Sequence, residues 1–71
     1  KIDLNKIDEE VVNTIDAFCR NNLHLADTAR ECFIHRNTLS YRLDKFYKET
    51  GLDVRTLNGA VTYLIIKMAA L

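Results

Sequence analysis

Residues Phe33 to Leu43 read FIHRNTLSYRL, and the way they divide between inside and outside decides the fold. Leu39 and Leu43 stand four apart, the spacing that puts two side chains on one face of a helix. Arg36, Asn37 and Thr38 come just before them, three polar side chains of different hydrogen-bonding geometry in what would be the first turn. Almost any charged residues would serve there if the helix only had to be soluble. The preceding segment carries Leu25, Ala29 and Cys32 on one predicted helical face, and only residues 33–35 separate the two segments. A short helix, a three-residue turn and a longer helix form the arrangement in which the second helix lies in the DNA major groove while the first crosses the backbone. Ala29 is small enough for a close crossing, Ile34 plugs the space under the turn, and Leu39 and Leu43 anchor the second helix from behind. With those positions fixed, the first turn is pushed outward. There Arg36 suits guanine, Asn37 suits adenine, and Thr38 suits a phosphate or a thymine methyl group.

Working outward, the rest of the chain is also helical in pattern. Asp8 is an expected N-cap, with Glu9 and Glu10 in the first turn and Ile7 placed to staple onto Val12. Val11, Ile15, Phe18 and Cys19 then predict a helix from Glu9 to Arg20, stopped by NNLH. The second helix spans Leu25 to Cys32 and the third Arg36 to Glu49, with Leu39, Leu43, Phe46 and Tyr47 inward and Asn37, Tyr41, Asp44 and Lys48 outward. Gly51 marks the C-terminal cap, and Thr56 caps a fourth helix. In that last helix Leu57, Ala60, Val61, Leu64, Met68 and Leu71 form the expected core stripe, with Tyr63 and Ile66 off it. The fold class is all-α, a small four-helix bundle containing a helix-turn-helix over residues 8–71, with residues 1–7 as the end of a linker.

Composition agrees with one small helical domain. The chain has 71 residues, 48% of them hydrophobic, with no Pro and no Trp, and a single core is marginal but workable at this size. It starts at Lys1 and is expected to be part of a longer protein. Its apolar runs are too short and too interrupted by charge for a membrane span. The formal net charge is zero, yet the charges are segregated. Lys1 and Lys6 face Asp3, Asp8, Glu9, Glu10 and Asp16 at the start, whereas Arg36, Arg42, Lys45 and Lys48 face Asp44 alone further on. Cys19 and Cys32 fall among apolar neighbours, which points to a reduced, cytoplasmic protein.

The segment LADTARECFIHRNTLSYRLDKFYKETGLD, residues 25–53, resembles the C-terminal helix-turn-helix of the PucR family of bacterial regulators. The likeness rests on Thr28 and Ala29, on IHRNTL from Ile34 to Leu39, on YRL from Tyr41 to Leu43, and on TGLD from Thr50 to Asp53. It implies a double-stranded DNA-binding output domain joined to a sensory region, similar in fold to the DNA-binding part of the Fis nucleoid protein. By the same matching, Arg36, Asn37, Thr38 and Tyr41 would face DNA. The full expected set adds His35, Ser40, Arg42 and Lys45, with Thr28 from the helix before. Ser40 stands where such proteins often carry Arg, and Phe33 takes a turn position that is Gly in many helix-turn-helix proteins, which predicts a wider or strained turn. A homodimer or higher oligomer is expected of the full-length protein.

Other chemistries fare worse. The outward face of the third helix could be merely solvated, or a helical interaction module could present its basic face to an acidic protein; Tyr41 beside Arg and Lys favours a sugar-phosphate edge instead. No enzyme is expected, because a catalytic thiolate needs a base held beside it in a cleft. No metal or cofactor is expected either. His24 reads as loop surface and His35 as a helix-start residue that caps or touches phosphate, and the intervals Cys19 to His24 and Cys32 to His35 match no zinc-finger spacing. Treatment with a chelator should therefore leave the helical circular dichroism and the thermal midpoint unchanged; a large loss of structure would reopen the zinc reading.

Overall fold

Each helix begins at a side chain that accepts one of its free amides, the interaction that fixes where a helix starts. In the computed structural model, which describes residues 2–69, Asp8 accepts from the Glu10 amide at 2.9 Å and opens α1, Glu9–Arg20. His24 Nδ1 faces the Asp27 amide at 3.4 Å at the head of α2, Leu25–Cys32. His35 Nδ1 accepts from the Asn37 amide at 3.0 Å at the head of α3, Arg36–Thr50. Thr56 Oγ1 accepts from the Gly59 amide at 2.9 Å ahead of α4, Leu57–Ala69. His24, expected as loop surface, is thus a helix cap. No strand occurs among the described residues, and the fold is a small all-α helix-turn-helix domain.

Residues 4–6, expected as linker, form one 3-10 turn capped by Asp3, and Leu4 and Ile7 pack against the core. α1, α2 and α3 pack on one another around Val11, Ile15, Phe18, Ala29, Leu39, Leu43 and Phe46, with Ile34 beneath the turn. Tyr47, expected inward, is half exposed, and Val54 from the loop after α3 is fully buried instead.

The turn between α2 and α3 stays tight despite Phe33. The Ile34 amide reaches back to the Ala29 carbonyl at 3.0 Å and the Phe33 amide to Arg30 at 3.3 Å, the pair of bonds that closes a helix through a left-handed residue. Phe33 supplies that residue at φ 57°. Glycine adopts this conformation freely, whereas a side chain there costs roughly 1 to 2 kcal/mol. The turn is therefore strained and not widened.

α4 corrects the expected packing. Tyr63, placed off the core by its spacing, is completely buried, whereas Leu57 is 73% exposed and Met68 71%. Val61, Leu64 and Ile65 are exposed as well, and of the expected stripe only Ala60 is buried; Leu71 lies outside the described residues. The physical reason is the phenol. The Tyr63 ring packs edge-on against Phe46 with centroids 5.8 Å apart, while its hydroxyl donates to Asp16 Oδ1 at 2.6 Å and Lys67 Nζ donates to Asp16 Oδ2 at 3.1 Å. Burial, then the bond to Asp16, push the Tyr63 phenol far above its ordinary value, so it stays a neutral donor. Gly59 completes the approach, since a Cβ there would stand 1.8 Å from the Asp53 carbonyl oxygen. The larger aliphatic side chains are left on the outer side, beside an apolar hollow of about 270 Å³ lined by Cys19, Leu23, Leu57, Val61 and Leu64.

This assignment is measurable by urea denaturation. Tyr63→Ala should cost about 3 to 5 kcal/mol, as expected for a large ring removed from a core, while Leu57→Gln should stay within about 0.5 kcal/mol. Equal losses would mean that the inward face of α4 had been misassigned.

Candidate nucleic-acid interface

α3 turns its outer stripe to solvent because Leu39, Leu43 and Phe46 commit the opposite stripe to the core. Asn37, Tyr41, Asp44 and Lys48 follow one another at three- and four-residue steps along that outer stripe, and all are exposed. His35, Arg36 and Thr38 are exposed at the start of the helix. The imidazole of His35 caps α3, so its role is to hold the first turn in place. Arg36 occupies the first helical position, where a positive charge opposes the helix dipole. α1 and α2 carry acidic residues in their first turns and α3 carries none, so no acidic side chain of its own first turn offsets the positive end of α3.

Four expected site residues are buried or half-buried. Thr28 is fully buried, and its hydroxyl donates to the His24 carbonyl at 2.7 Å; it is a core residue of α2 and does not belong to the interface. Arg42 points at α1, where its guanidinium donates to Thr14 Oγ1 at 2.9 Å and pairs with Glu10 at 3.3 Å, leaving the side chain 17% exposed. It braces α3 against α1 and is not a free cation. Ser40 is half-buried, and its carbonyl accepts from Arg55 Nη2 at 3.1 Å. Lys45 is half-buried but forms no ion pair among the described residues.

Arg55 was not anticipated. It reaches from the loop after α3 to Asp44 at 3.0 Å, which neutralises the one acidic residue on the outer stripe. The signal that could have found it was a lone Asp in an otherwise basic stretch, asking for a partner. The other cations are similarly occupied. Arg20 pairs with Glu31, Arg30 with Asp27 at 2.9 Å and Lys67 with Asp16 at 3.1 Å. Hydrogen bonds from Asn21 and then Arg20 hold the Glu31 carboxyl below its ordinary range and tie α1 to α2. Among the described residues only Lys6, Arg36, Lys45 and Lys48 are cations without an ion-pair partner, and three of these four lie on α3.

Burial, and then Asp16, push the Cys19 thiol above its ordinary value, the reverse of an activated nucleophile. Among the described residues no group of three or more His, Cys, Asp or Glu is placed to hold a metal ion, and no helix is long and apolar enough to cross a membrane.

The chain is similar in sequence to known proteins. Over 41 residues the chain is 46% identical to the carbohydrate diacid regulator of Escherichia coli, covering 58% of this chain and 11% of that protein. It is 33% identical over 45 residues to the proline-responsive transcriptional activator PutR of Bacillus subtilis, covering 63% of this chain and 11% of that one. With the Bacillus subtilis protein YxkF it shares 39% identity over 54 residues, which is 76% of this chain and 18% of that protein. The chain thus spans only about a tenth to a fifth of the length of these relatives. No solved structure matches it. The family described as the PucR C-terminal helix-turn-helix domain matches residues 11–66. The chain therefore belongs to the PucR C-terminal helix-turn-helix family, as a non-enzymatic DNA-binding domain of the kind carried by bacterial transcriptional regulators.

Proposed function

We propose that this domain binds double-stranded DNA sequence-specifically, with the first turns of α3 in the major groove, as the output end of a bacterial transcriptional regulator working in the cytoplasm. The observation that carries this reading is the concentration of unpaired cations on α3, on a chain whose formal net charge is zero. Cations left free on one helix, when nearly all the others are paired, are suited to phosphates. Arg36 and Asn37 read base edges from the first turn, Thr38 meets a phosphate or a thymine methyl group, and Tyr41 lies along the sugar-phosphate edge. Lys45 and Lys48 hold the backbone where the helix leaves the groove.

The full-length protein acts as a dimer on two half-sites about one helical turn, roughly 34 Å, apart. The isolated domain binds one half-site weakly. Saturable, tight binding of a single half-site by the isolated domain would contradict this.

Reading and holding separate on mutation. With a duplex selected from a randomised pool, Arg36→Ala or Asn37→Ala should cost about 1 to 3 kcal/mol and relax discrimination at one base pair. Lys45→Ala should weaken selected and random duplexes alike and lower the slope of log affinity against log salt by about 1. Each variant is first checked for wild-type helical circular dichroism. Equal losses on both duplexes for Asn37→Ala and Lys45→Ala would remove α3 as the reading element, and an absence of duplex binding at low salt would leave an acidic protein as the partner of the basic face.

A further inference from the structure

We propose that Phe33 is itself a DNA contact, its ring lying against the apolar surface of the duplex beside the base pairs faced by Arg36. The proposal rests on the DNA-binding reading of α3 and adds a residue to it. Phe33 is 94% exposed, more than any other large hydrophobic side chain among the described residues, and it sits at φ 57°. The fold gains nothing from its side chain: the ring packs on no part of the core, and the backbone bonds that close α2 involve only its amide and that of Ile34. Glycine would make the same turn without strain and without exposing a benzyl group to water. An exposed side chain kept in a strained backbone state that glycine would adopt without strain is a candidate for function.

Position supplies the partner. Phe33 lies three residues before Arg36, so their Cα atoms are at most about 11 Å apart, and the chain between them is pinned by the Ile34 amide at one end and the His35 cap at the other. The backbone that carries the ring is therefore fixed close to the positive end of α3. Its sequence neighbours on that side are His35, Arg36, Asn37 and Thr38, a polar set unlike the apolar surround that a hydrophobic protein contact would call for. A lone aromatic amid cations and amides fits a surface where small apolar groups are set among phosphates. In duplex DNA those groups are the thymine methyl in the major groove and the deoxyribose edge.

The test uses the 71-residue chain and two probes, a duplex selected from a randomised pool and the same duplex with every thymine replaced by uracil. Phe33→Gly should keep or raise the thermal midpoint, yet weaken binding to the selected duplex by roughly tenfold, the equivalent of about 1.4 kcal/mol. Because no charge is removed, that loss should be the same at every salt concentration and leave the salt slope unchanged. Phe33→Tyr, which keeps the ring, should restore most of the affinity. If the loss vanishes on the uracil probe, the contact is the thymine methyl; if it persists, the contact is deoxyribose. Wild-type affinity in Phe33→Gly alongside lost affinity in Arg36→Ala would overturn the proposal and leave the reading of α3 standing. Wild-type affinity in both variants would remove α3 from the interface, and Phe33 with it. A Phe33→Gly chain less stable than wild type would show the ring to be structural and would likewise overturn the proposal.

Discussion

Two helices can be joined by three residues only if the chain reverses at once, and here the reversal falls on Phe33 in the left-handed region. That single backbone state sends the Ile34 amide back to Ala29 and drops the Ile34 side chain onto the core. With α2 ended there, the His35 imidazole can cap α3 two residues later. The start of α3 is thereby fixed relative to α2, and the residues of its first turn are displayed from a rigid base. Had the reversal been spread over a longer loop, Leu39 and Leu43 would still find the core, but the direction in which Arg36 and Asn37 project would no longer be determined.

Charge is distributed with a comparable economy. Arg20, Arg30, Arg42, Arg55 and Lys67 each face a carboxylate, several of them across helix boundaries. Exposed pairs of this kind add little stability individually. Their effect on the potential is larger, because they cancel most of the positive charge that lies off α3. A formal net charge of zero thus coexists with a positive helix, and at physiological ionic strength a phosphate within about 8 Å responds to that helix and not to the sum.

Helix boundaries were legible because they are written locally, in the capping residues Asp8 and Thr56, the stop at NNLH and Gly51. The core faces of α1 and α3 were legible because polar residues alternate with apolar ones at helical spacing. α4 has apolar residues all around, so periodicity alone could not say which face turns inward. The deciding contact, Tyr63 to Asp16, spans 47 positions of sequence, and a buried hydroxyl chooses its partner in three dimensions. The site was read in the same uneven way. Residues next to the turn, His35 to Thr38, emerge where their position in the first turn puts them. Arg42 and Thr28 were misplaced because each finds a partner on the scaffold, across helices for Arg42 and one turn back along α2 for Thr28.

The exposed aliphatic face of α4 has a practical meaning for handling the protein. Contacts between cations and phosphates fade as salt rises, whereas apolar contacts are strengthened by salts such as sulfate that are excluded from protein surfaces. The two surfaces therefore answer to opposite conditions. Low ionic strength favours whatever α3 holds, and salting-out conditions favour whatever covers Leu57, Val61, Leu64, Ile65 and Met68. Purification and binding buffers for this domain select which of its two faces is engaged.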